Sequence, residues 1–149
     1  MGSRSRPFAT QPIREATFVI SASKQKRRSA ATIRAPLDQP ARGEIWWVSL
    51  DPTRGREQAG RRPALLLSVN VLNASAAGIV SAVPIIRRDR GIRSHVPIAP
   101  PEGGLTVRSY AMCEQLRAIA KERLQSRIGT IAPRTLAAIE DRVRILLDL

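Results

Sequence analysis

Two apolar runs, at 44–50 and 64–69, enclose a strongly charged segment. Their aromatic, β-branched and leucine residues predict strands at 44–50 and 63–70, and Pro63 is tolerated at the first position of a strand. The intervening segment 51–62 holds four arginines, two acids, two glycines and a proline. We therefore expect a charged loop between two core strands, an arrangement in which a rigid frame displays a functional site.

Shorter apolar runs continue the strand pattern downstream. They predict further strands at 78–86, 94–99 and 105–113. Pro84 indicates that the first of these is an edge strand or carries a bulge. The predicted connections are a turn or one helical turn at 70–77, a basic turn at 87–91, a loop at 100–104, an extended or turning segment at 114–119 and a short helix at 123–131.

The period of the apolar positions changes at the end of the chain. Pro133 suits the first turn of a helix, where its missing N–H costs no hydrogen bond. Apolar residues then recur at steps of three and four, at Leu136, Ile139, Val143, Leu146 and Leu147. This stripe predicts an amphipathic helix. Together with five or six short strands it predicts a mostly β (α+β) fold, a small antiparallel barrel or sheet with a packed C-terminal helix.

Residues 1–41 differ in composition from the remainder. They are rich in Ser, Arg, Ala, Gln and Pro, and they carry 8 basic and 2 acidic residues. The segment 16–20 is the only strand candidate, and it is too short for the apolar core of a secretory signal. We expect a basic, disordered N-terminal extension, or upstream sequence included by a misassigned start. The functional alternative is an arm that raises RNA or DNA affinity. The folded domain is predicted at 42–149.

The overall charge narrows the class of partner. The formal net charge is +13, with 25 Lys and Arg against 12 Asp and Glu. This balance favours nucleic acid, an anionic membrane surface or an acidic protein. Only three of the cations are lysines. Because arginine makes bidentate contacts to phosphates and bases, the bias favours nucleic acid, although a GC-rich genome would also produce it.

The remaining composition excludes several classes of site. Cys113 is the only cysteine, so the sequence predicts neither a disulfide framework nor a metal-ligand cluster, in keeping with a reducing cytoplasm. We interpret it as a small core residue. His95 is the only histidine, which excludes a two-histidine mechanism within one chain. No apolar run approaches the ~20 residues of a membrane span, so no membrane partner is predicted.

Three sequence blocks carry a resemblance to a known family. They are Arg42–Trp46, Asp51–Ala64 and Cys113–Ile119, and the ending from Ile128 to the terminal helix is similar too. Over about 42–149 the chain resembles the MazF/PemK toxins. The resemblance implies an SH3-like β-barrel, a homodimer and a metal-independent endoribonuclease that cuts single-stranded RNA and leaves a 2′,3′-cyclic phosphate. It also implies a cognate antitoxin, for which we expect an acidic, partly disordered segment. No cofactor is expected for this chain.

The resemblance assigns the cleavage role to Arg62, the arginine before Pro63. RNA cleavage without a metal needs a base for the 2′-OH, a cation for the developing phosphorane charge and an acid for the leaving oxygen. The guanidinium fork of Arg62 suits the charge, and Glu57 is the nearest candidate base or hydrogen-bond partner. The alternative is an ion pair between Glu57 and Arg62 that only pins the loop.

A second cluster follows Cys113. Some family members place an acid of the active groove next to this cysteine, and the matching residue is Glu114, which we take with Arg117. The alternative is a polar pair that fixes the strand. For the two tryptophans, strand alternation predicts that Trp46 and Trp47 face opposite ways, so that at most one is core and the other can stack on a base. The candidate RNA contacts, each of which is alternatively a solvated surface group, are Arg54, Arg56, Gln58, Arg61, Arg87, Arg88 and Arg117.

One position departs from the family pattern. Many relatives carry a threonine two residues after the Val-Pro pair, and here that position is Ile86. Either Ser81 or Ser94 supplies the hydroxyl, or the chemistry is slower, or the chain is a degenerate copy. The competing function is therefore a non-catalytic member of the same fold that binds RNA or a protein target.

Overall fold

The structure, a computed structural model, describes residues 39–149. The predicted extension and its strand candidate at 16–20 lie outside the described residues, apart from positions 39–41. The elements, in chain order, are β1 Glu44–Ser49, β2 Arg61–Leu66, α1 Asn70–Asn73, β3 Ile79–Ile86, β4 His95–Ile98, β5 Ser109–Met112, β6 Arg117–Ala120, β7 Leu124–Thr130 and α2 Pro133–Leu147.

The strands of this region form one sheet in which every pairing is antiparallel. The order is β4-β5-β3-β2-β1-β7, and β6 pairs with the first half of β3. The second half of β3 pairs with β5 on the same side. The predicted mostly β fold with a C-terminal helix is confirmed, with seven strands in residues 39–149 where five or six were expected.

Each face of the sheet carries its own apolar cluster, because alternate side chains of a strand leave opposite faces. Ile45, Leu65 and Ile85 belong to the cluster that α2 covers through Ile139 and Val143. The other cluster is built from Trp46, Val48, Leu50, Ala64, Leu66, Val80, Ala82 and Ile119. The two rigid strands predicted around the charged loop are therefore core strands.

Two predictions about proline and strand length were wrong. β2 begins at Arg61 and not at Pro63, and it ends at Leu66 because the chain then turns, with the Asn73 amide donating to the Ser68 carbonyl at 3.0 Å. Pro84 does not mark an edge, since β3 has neighbours on both sides. It lies where the neighbour on one side changes from β6 to β5, and such an interruption of the ladder tolerates a missing N–H.

The helix predicted at 123–131 is a strand. β7 pairs with the outer side of β1, from Thr130 opposite Glu44 to Leu124 opposite Val48, with two register shifts. A glycine is needed in this strand, because a Cβ on Gly129 would lie 2.6 Å from the backbone of Gly103. Local propensity did not reveal this pairing, which satisfies the backbone groups of β1. The strand predicted at 105–113 is also shorter, because only Ser109–Met112 pairs.

The terminal helix confirms part of its predicted stripe. Pro133 stands in its first turn, Ile139 and Val143 are buried, and Leu136 packs against the same cluster. Leu146 and Leu147 are instead about half exposed, at 46% and 55%. Among residues 39–149 no helix is long and apolar enough to cross a membrane.

Candidate functional site

A groove of about 490 Å³ opens where β2 begins and β3 ends. The start of β2 and the end of β3 lie side by side at the same end of these two strands, because they are antiparallel and Ala64 is the register partner of Pro84. The turn after β3 is thereby brought beside the start of β2. Apolar side chains of both strands and of neighbouring segments form part of the lining, and five arginines, called here the groove arginines, complete it: Arg61, Arg62, Arg87, Arg88 and Arg90.

The groove arginines form no ion pair with an acid of residues 39–149. The ion pairs of residues 39–149 involve other cations, namely Arg42, His95, Arg117, Arg127 and Arg144. Asp89, the acid within the turn, accepts a hydrogen bond from the Gly91 amide at 2.8 Å. Uncompensated cations around a concave surface create a positive potential that attracts a polyanion.

Arg62 is held by the loop that precedes it. Its Nε donates to the Ala59 carbonyl at 2.9 Å. The Gln58 amide lies beside the same guanidinium, and with its oxygen turned toward Arg62 it accepts from Nη2 at 2.8 Å. Both partners are neutral, so the guanidinium is oriented while its charge remains available. The predicted ion pair between Glu57 and Arg62 is not formed.

Glu57 faces Arg117 instead. Its Oε2 lies 3.8 Å from Arg117 Nη1, and the Glu57 side chain is 54% exposed. Next to Glu57, the backbone N–H of Gln58 donates to Gln115 Oε1 at 3.4 Å. The loop is therefore folded back onto the segment 115–117, far along the chain. Arg54 and Arg56, also predicted to contact RNA, are exposed on this loop.

The two ends of the loop are fixed by hydrogen bonds. The Gly60 amide donates to Asp51 Oδ1 at 2.9 Å, and the Leu50 amide donates to the Gly60 carbonyl at 2.9 Å. Arg123 Nη1 donates to the carbonyls of Asp51 and Ser49 at 2.6 and 3.1 Å. A loop closed in this way presents its middle residues in a defined position.

Glu114 lies in a short 3₁₀ turn, Cys113–Gln115, and is bound on both carboxylate oxygens. Ser94 Oγ donates to Oε2 at 2.6 Å, and His95 Nε2 lies 2.6 Å from Oε1. Burial acts to raise the pKa of the Glu114 carboxyl, but these hydrogen bonds outweigh it and hold that pKa below its ordinary value. Glu114 is thus a carboxylate at neutral pH, and its partners are Ser94 and His95 rather than Arg117.

The sequence analysis did not predict His95 as a site residue, and noted only that it is the sole histidine. Its side chain is 2% exposed, and its buried Nδ1 has no hydrogen-bond partner in the described part of the chain. Two sets of contacts, the group of Ser94, His95 and Glu114 and the Glu57–Arg117 pair, are together called here the carboxylate cluster. Residues 39–149 contain no group of three His, Cys, Asp or Glu side chains placed to hold a metal ion.

The hydroxyl expected near Arg62 does not come from either predicted serine. Ile86 is 4% exposed and lines the groove. Ser94 is bound to Glu114, and the Ser81 amide bonds to Ser68 Oγ in the half of β3 that pairs with β6. Two other hydroxyl residues, Thr106 and Ser109, line the groove, although their segment carries no sequence signal for a site. Arg90 was also missed, although the basic turn 87–91 pointed to it.

The two tryptophans face opposite ways, as predicted. Trp46 is 7% exposed, belongs to the core and donates its indole N–H to Glu44 Oε2 at 2.8 Å. Trp47 lines the groove, and the Arg61 guanidinium carbon lies 4.2 Å from its ring centroid. Cys113 is buried, as expected, and burial, followed by the nearby Glu114 charge, raises the pKa of its thiol to about 11.

Comparison with known proteins identifies the family. Residues 41–147 match the family described as PemK-like, MazF-like toxin of type II toxin-antitoxin system. The chain is 37% identical over 113 residues to Endoribonuclease MazF9 of Mycobacterium tuberculosis, an alignment that covers 72% of this chain and 96% of the relative. It is 33% identical over 109 residues to Endoribonuclease toxin MazF of Escherichia coli K12, covering 72% and 94%.

Solved structures agree with this assignment. MazF (Form-I) from Deinococcus radiodurans superposes with a TM-score of 0.67 at 27% identity, over 74% of this chain and 97% of that chain. The MazE-MazF (Form-II) structure from the same organism gives a TM-score of 0.62 at 26% identity, with the same two coverages. The fold, the blocks around the groove and the sequence match together show that the chain belongs to the PemK-like, MazF-like toxin family of type II toxin–antitoxin systems.

Proposed function

We propose that this chain is an endoribonuclease toxin that cleaves single-stranded RNA in the cytoplasm without a metal ion, at selected sequences, and so inhibits translation and growth. The observation that carries the proposal is the groove, in which four arginines accompany one held guanidinium, Arg62, and none of the five pairs with an acid of residues 39–149. The names of the relatives, endoribonucleases at 33% and 37% identity, support the same activity. The expected product ends are a 2′,3′-cyclic phosphate and a free 5′-OH.

Arg62 is proposed to stabilise the phosphorane. In the reaction the 2′-OH loses its proton to a base and the 2′-oxygen attacks the adjacent phosphorus, so that negative charge accumulates on the non-bridging oxygens. The bond to the 5′-oxygen then breaks, and that oxygen takes a proton from water to become the free 5′-OH. A guanidinium already oriented by Ala59 and Gln58 meets this charge without reorganisation, which is the condition for electrostatic catalysis. Because arginine stays protonated, Arg62 is not the proton donor.

Glu57 is proposed as the base for the 2′-OH. It lies on the loop that precedes Arg62, its carboxylate is exposed, and its contact with Arg117 at 3.8 Å is loose enough to be replaced by substrate. Glu114 suits a supporting role better than proton donation, because its carboxyl is ionised and occupied by Ser94 and His95. Through its neighbour Gln115 it holds the loop at Gln58.

The remaining predicted residues are proposed as RNA contacts. Arg61, Arg87 and Arg88 lie on the groove wall, whereas Arg54 and Arg56 extend the positive surface along the exposed loop. Gln58 and Arg117 order that loop beside Arg62. Phosphate contacts of this kind give affinity without sequence information, so the cut-site preference must come from base contacts in the groove.

Two protein partners belong to the proposal. One is a cognate antitoxin with an acidic segment, which would compete with RNA for the groove arginines. The MazE-MazF structure among the relatives supports such a partner. The other is a second copy of this chain, and apolar residues exposed at the end of α2 support a homodimer: Ile145, Leu146, Leu147 and Leu149. Light scattering on the purified chain measures the second.

The alternative function is RNA or protein binding without cleavage. Ile86 favours it, because an apolar side chain lines the groove at the position where the family pattern led us to expect a hydroxyl. Thr106 lines the same groove, is exposed and is the hydroxyl residue available there to a bound phosphate. Ser109 also lines the groove, but it is buried and donates its hydroxyl to the Val107 carbonyl at 3.0 Å, so the cleavage proposal depends on Thr106 rather than on β3.

A gel assay separates the two functions. A long messenger RNA is incubated with the purified chain in EDTA, and the fragment ends are tested for a 2′,3′-cyclic phosphate. Discrete fragments with such ends are expected. RNA that stays intact at micromolar concentrations of folded protein would contradict cleavage, and retarded but uncut RNA would identify the binding function.

A further inference from the structure

The guanidinium of Arg61 lies over the ring of Trp47 at the wall of the groove. Its guanidinium carbon is 4.2 Å from the ring centroid, within the range of a cation–π contact. The register explains the contact, since Trp47 is the partner of Pro63 and Ser49 is the partner of Arg61. The two side chains are therefore diagonal neighbours on one face of the sheet, where long side chains can touch.

The outer edge of Arg61 is fixed as well. Its Nε donates to Gln125 Oε1 at 2.6 Å, and Gln125 belongs to β7, the strand on the other side of β1. An indole below and an amide at the edge thus hold one of the longest and most flexible side chains in a single plane. Fixing such a side chain costs conformational entropy, yet Arg61 remains exposed.

The guanidinium of Arg61 forms no ion pair with any acid of residues 39–149. Two arginines of neighbouring strands differ in this respect, because Arg117 faces Glu57 and Arg127 lies 3.1 Å from Glu44. Arg61 contacts only neutral groups, an indole and an amide. A planar cation that is oriented, exposed and unpaired is suited to a ligand that is both planar and anionic.

A nucleotide has both properties. Unstacked bases of single-stranded RNA stack on aromatic rings and on arginine guanidinium planes. Along β2, Arg61 and Arg62 are consecutive, and their side chains leave opposite faces of the strand at the rim of one groove. Because both side chains nevertheless line the same groove, a base on Arg61 and a phosphate on Arg62 can belong to one bound strand.

We propose that the Trp47–Arg61 pair is a base-stacking platform, which holds the nucleobase of one nucleotide beside the phosphate that Arg62 engages. The inference rests on the proposed function, since it needs RNA in the groove. It makes Trp47 and Arg61 specificity-determining residues, and it gives Gln125 the role of positioning Arg61. An acidic peptide segment on the same guanidinium is the competing occupant.

The test measures whether one base, rather than the backbone, depends on the platform. The probe is a short 2′-O-methyl oligonucleotide of a sequence that the protein cleaves as RNA, since the missing 2′-OH prevents cleavage. A series of such probes carries a single abasic site at each position. For the wild-type chain, one position beside the scissile bond is expected to lose about 5- to 150-fold in affinity when its base is removed.

The variants Arg61→Leu and Trp47→Leu are expected to lower the affinity for the intact probe and to reduce that abasic effect to less than about twofold. Arg61→Lys keeps the charge but not the plane, so it should keep the salt dependence while losing most of the base effect. Arg134→Leu, on the exposed face of α2, removes the same charge and should behave as wild type. Thermal unfolding checks each variant, and the exposed Arg61 series decides the case if Trp47→Leu does not fold.

The two possible failures are distinguishable. If the wild-type chain cleaves RNA and binds the probe, but the abasic effect survives in Arg61→Leu, the platform is wrong and the proposed function stands. If the wild-type chain neither binds the probe nor cleaves RNA, the proposed function fails and the platform with it. If an acidic peptide displaces the probe from the wild-type chain but not from Arg61→Leu, and removing a base at any position changes nothing, Arg61 binds carboxylates and the base platform is overturned.

Discussion

The groove and the carboxylate cluster use similar side chains in opposite ways. In the cluster each charge is engaged by the protein, with Glu114 bound by Ser94 and His95 and Glu57 facing Arg117. In the groove none of the five arginines pairs with a carboxylate of residues 39–149. Paired charges hold the chain in place, whereas unpaired ones are available to a ligand.

The loop between β1 and β2 connects the two regions. Gln58 lies beside Arg62 through its side chain and bonds to Gln115 through its backbone N–H. A change at Ser94, His95 or Glu114 should therefore reach the groove only as a change in the position of Arg62, whereas Glu57, the proposed base, also acts on the substrate directly. A change in the groove should leave the stability of the fold nearly intact. The following experiments test that separation.

The largest effect is expected for Arg62→Ala. Removing the oriented cation should lower kcat by about 10²- to 10³-fold, as for other groups that stabilise a developing anion. The fold should persist, because the main contacts of Arg62 are with Ala59 and Gln58 of the adjoining loop. Single-turnover cleavage in EDTA measures the rate, and circular dichroism measures the fold.

Arg134→Ala, an equal change in charge on α2, is the matched control and should cleave like the wild type. If Arg62→Ala also kept wild-type cleavage, another groove arginine would have to stabilise the phosphorane, and the special position of Arg62 would be wrong.

A smaller effect is expected for the double variant Arg87→Ala/Arg88→Ala. These residues lie in the turn after β3 and supply charge to the groove wall. For a single strand each phosphate contact contributes about 0.7 to the slope of log affinity against log salt. The double variant should therefore reduce the slope by about 1.4 and weaken binding about tenfold at low salt. Filter binding at several salt concentrations measures both.

The double variant Arg134→Ala/Arg142→Ala removes two charges from α2 and should leave that slope unchanged. An equal loss of slope in both double variants would show that net charge, and not the groove, attracts the RNA.

Removal of residues 1–38 should also lower the affinity for RNA and its dependence on salt, without changing which sequences are cut. The extension 1–41 carries 8 basic and 2 acidic residues, and we propose that it adds phosphate affinity without reading sequence. The truncated chain keeps Ala41, whose amide donates to Glu44 Oε2 at 2.8 Å. Primer extension on one messenger RNA should show the same cut sites at a lower yield. A changed pattern of cut sites would mean that the extension reads sequence.

How much of this was visible in the sequence differs between the two regions. The groove was partly predictable, because Arg61 and Arg62 directly precede the strand predicted at 63–70, Arg87 and Arg88 directly follow the one predicted at 78–86, and antiparallel neighbours bring such ends together. The cluster was not, because Ser94, His95 and Glu114 come from separate segments and their contacts depend on the pairing of β4 with β5. β7 could not be predicted for the same reason, because this strand is defined by its pairing with the distant strand β1.

The predicted Glu57–Arg62 pair shows why spacing within a loop is a poor guide to contact. The two residues are close in sequence, but the loop folds onto β6 and places Glu57 beside Arg117. Proximity in sequence does not fix which charge a flexible side chain meets, since exposed ion pairs contribute only about 0–1 kcal/mol. The hydrogen bonds at Asp51, Gly60 and Gln115 decide the path of the loop instead.

The smallest effect is expected for Glu114→Gln, which tests the stabilising role of the cluster. The amide keeps the shape but loses the charge that holds the Ser94 and His95 hydrogen bonds, so the free energy of unfolding at pH 7 should fall by about 1 kcal/mol. The folded pKa of Glu114 lies below its ordinary value, which means that its contribution is present above about pH 4.5 and is lost as the pH falls through the folded pKa. The difference between wild type and variant should therefore shrink in urea unfolding at pH 3. A variant as stable as wild type at pH 7, but with cleavage lost, would instead make Glu114 a participant in the reaction, and the division between a holding region and a binding region would not stand.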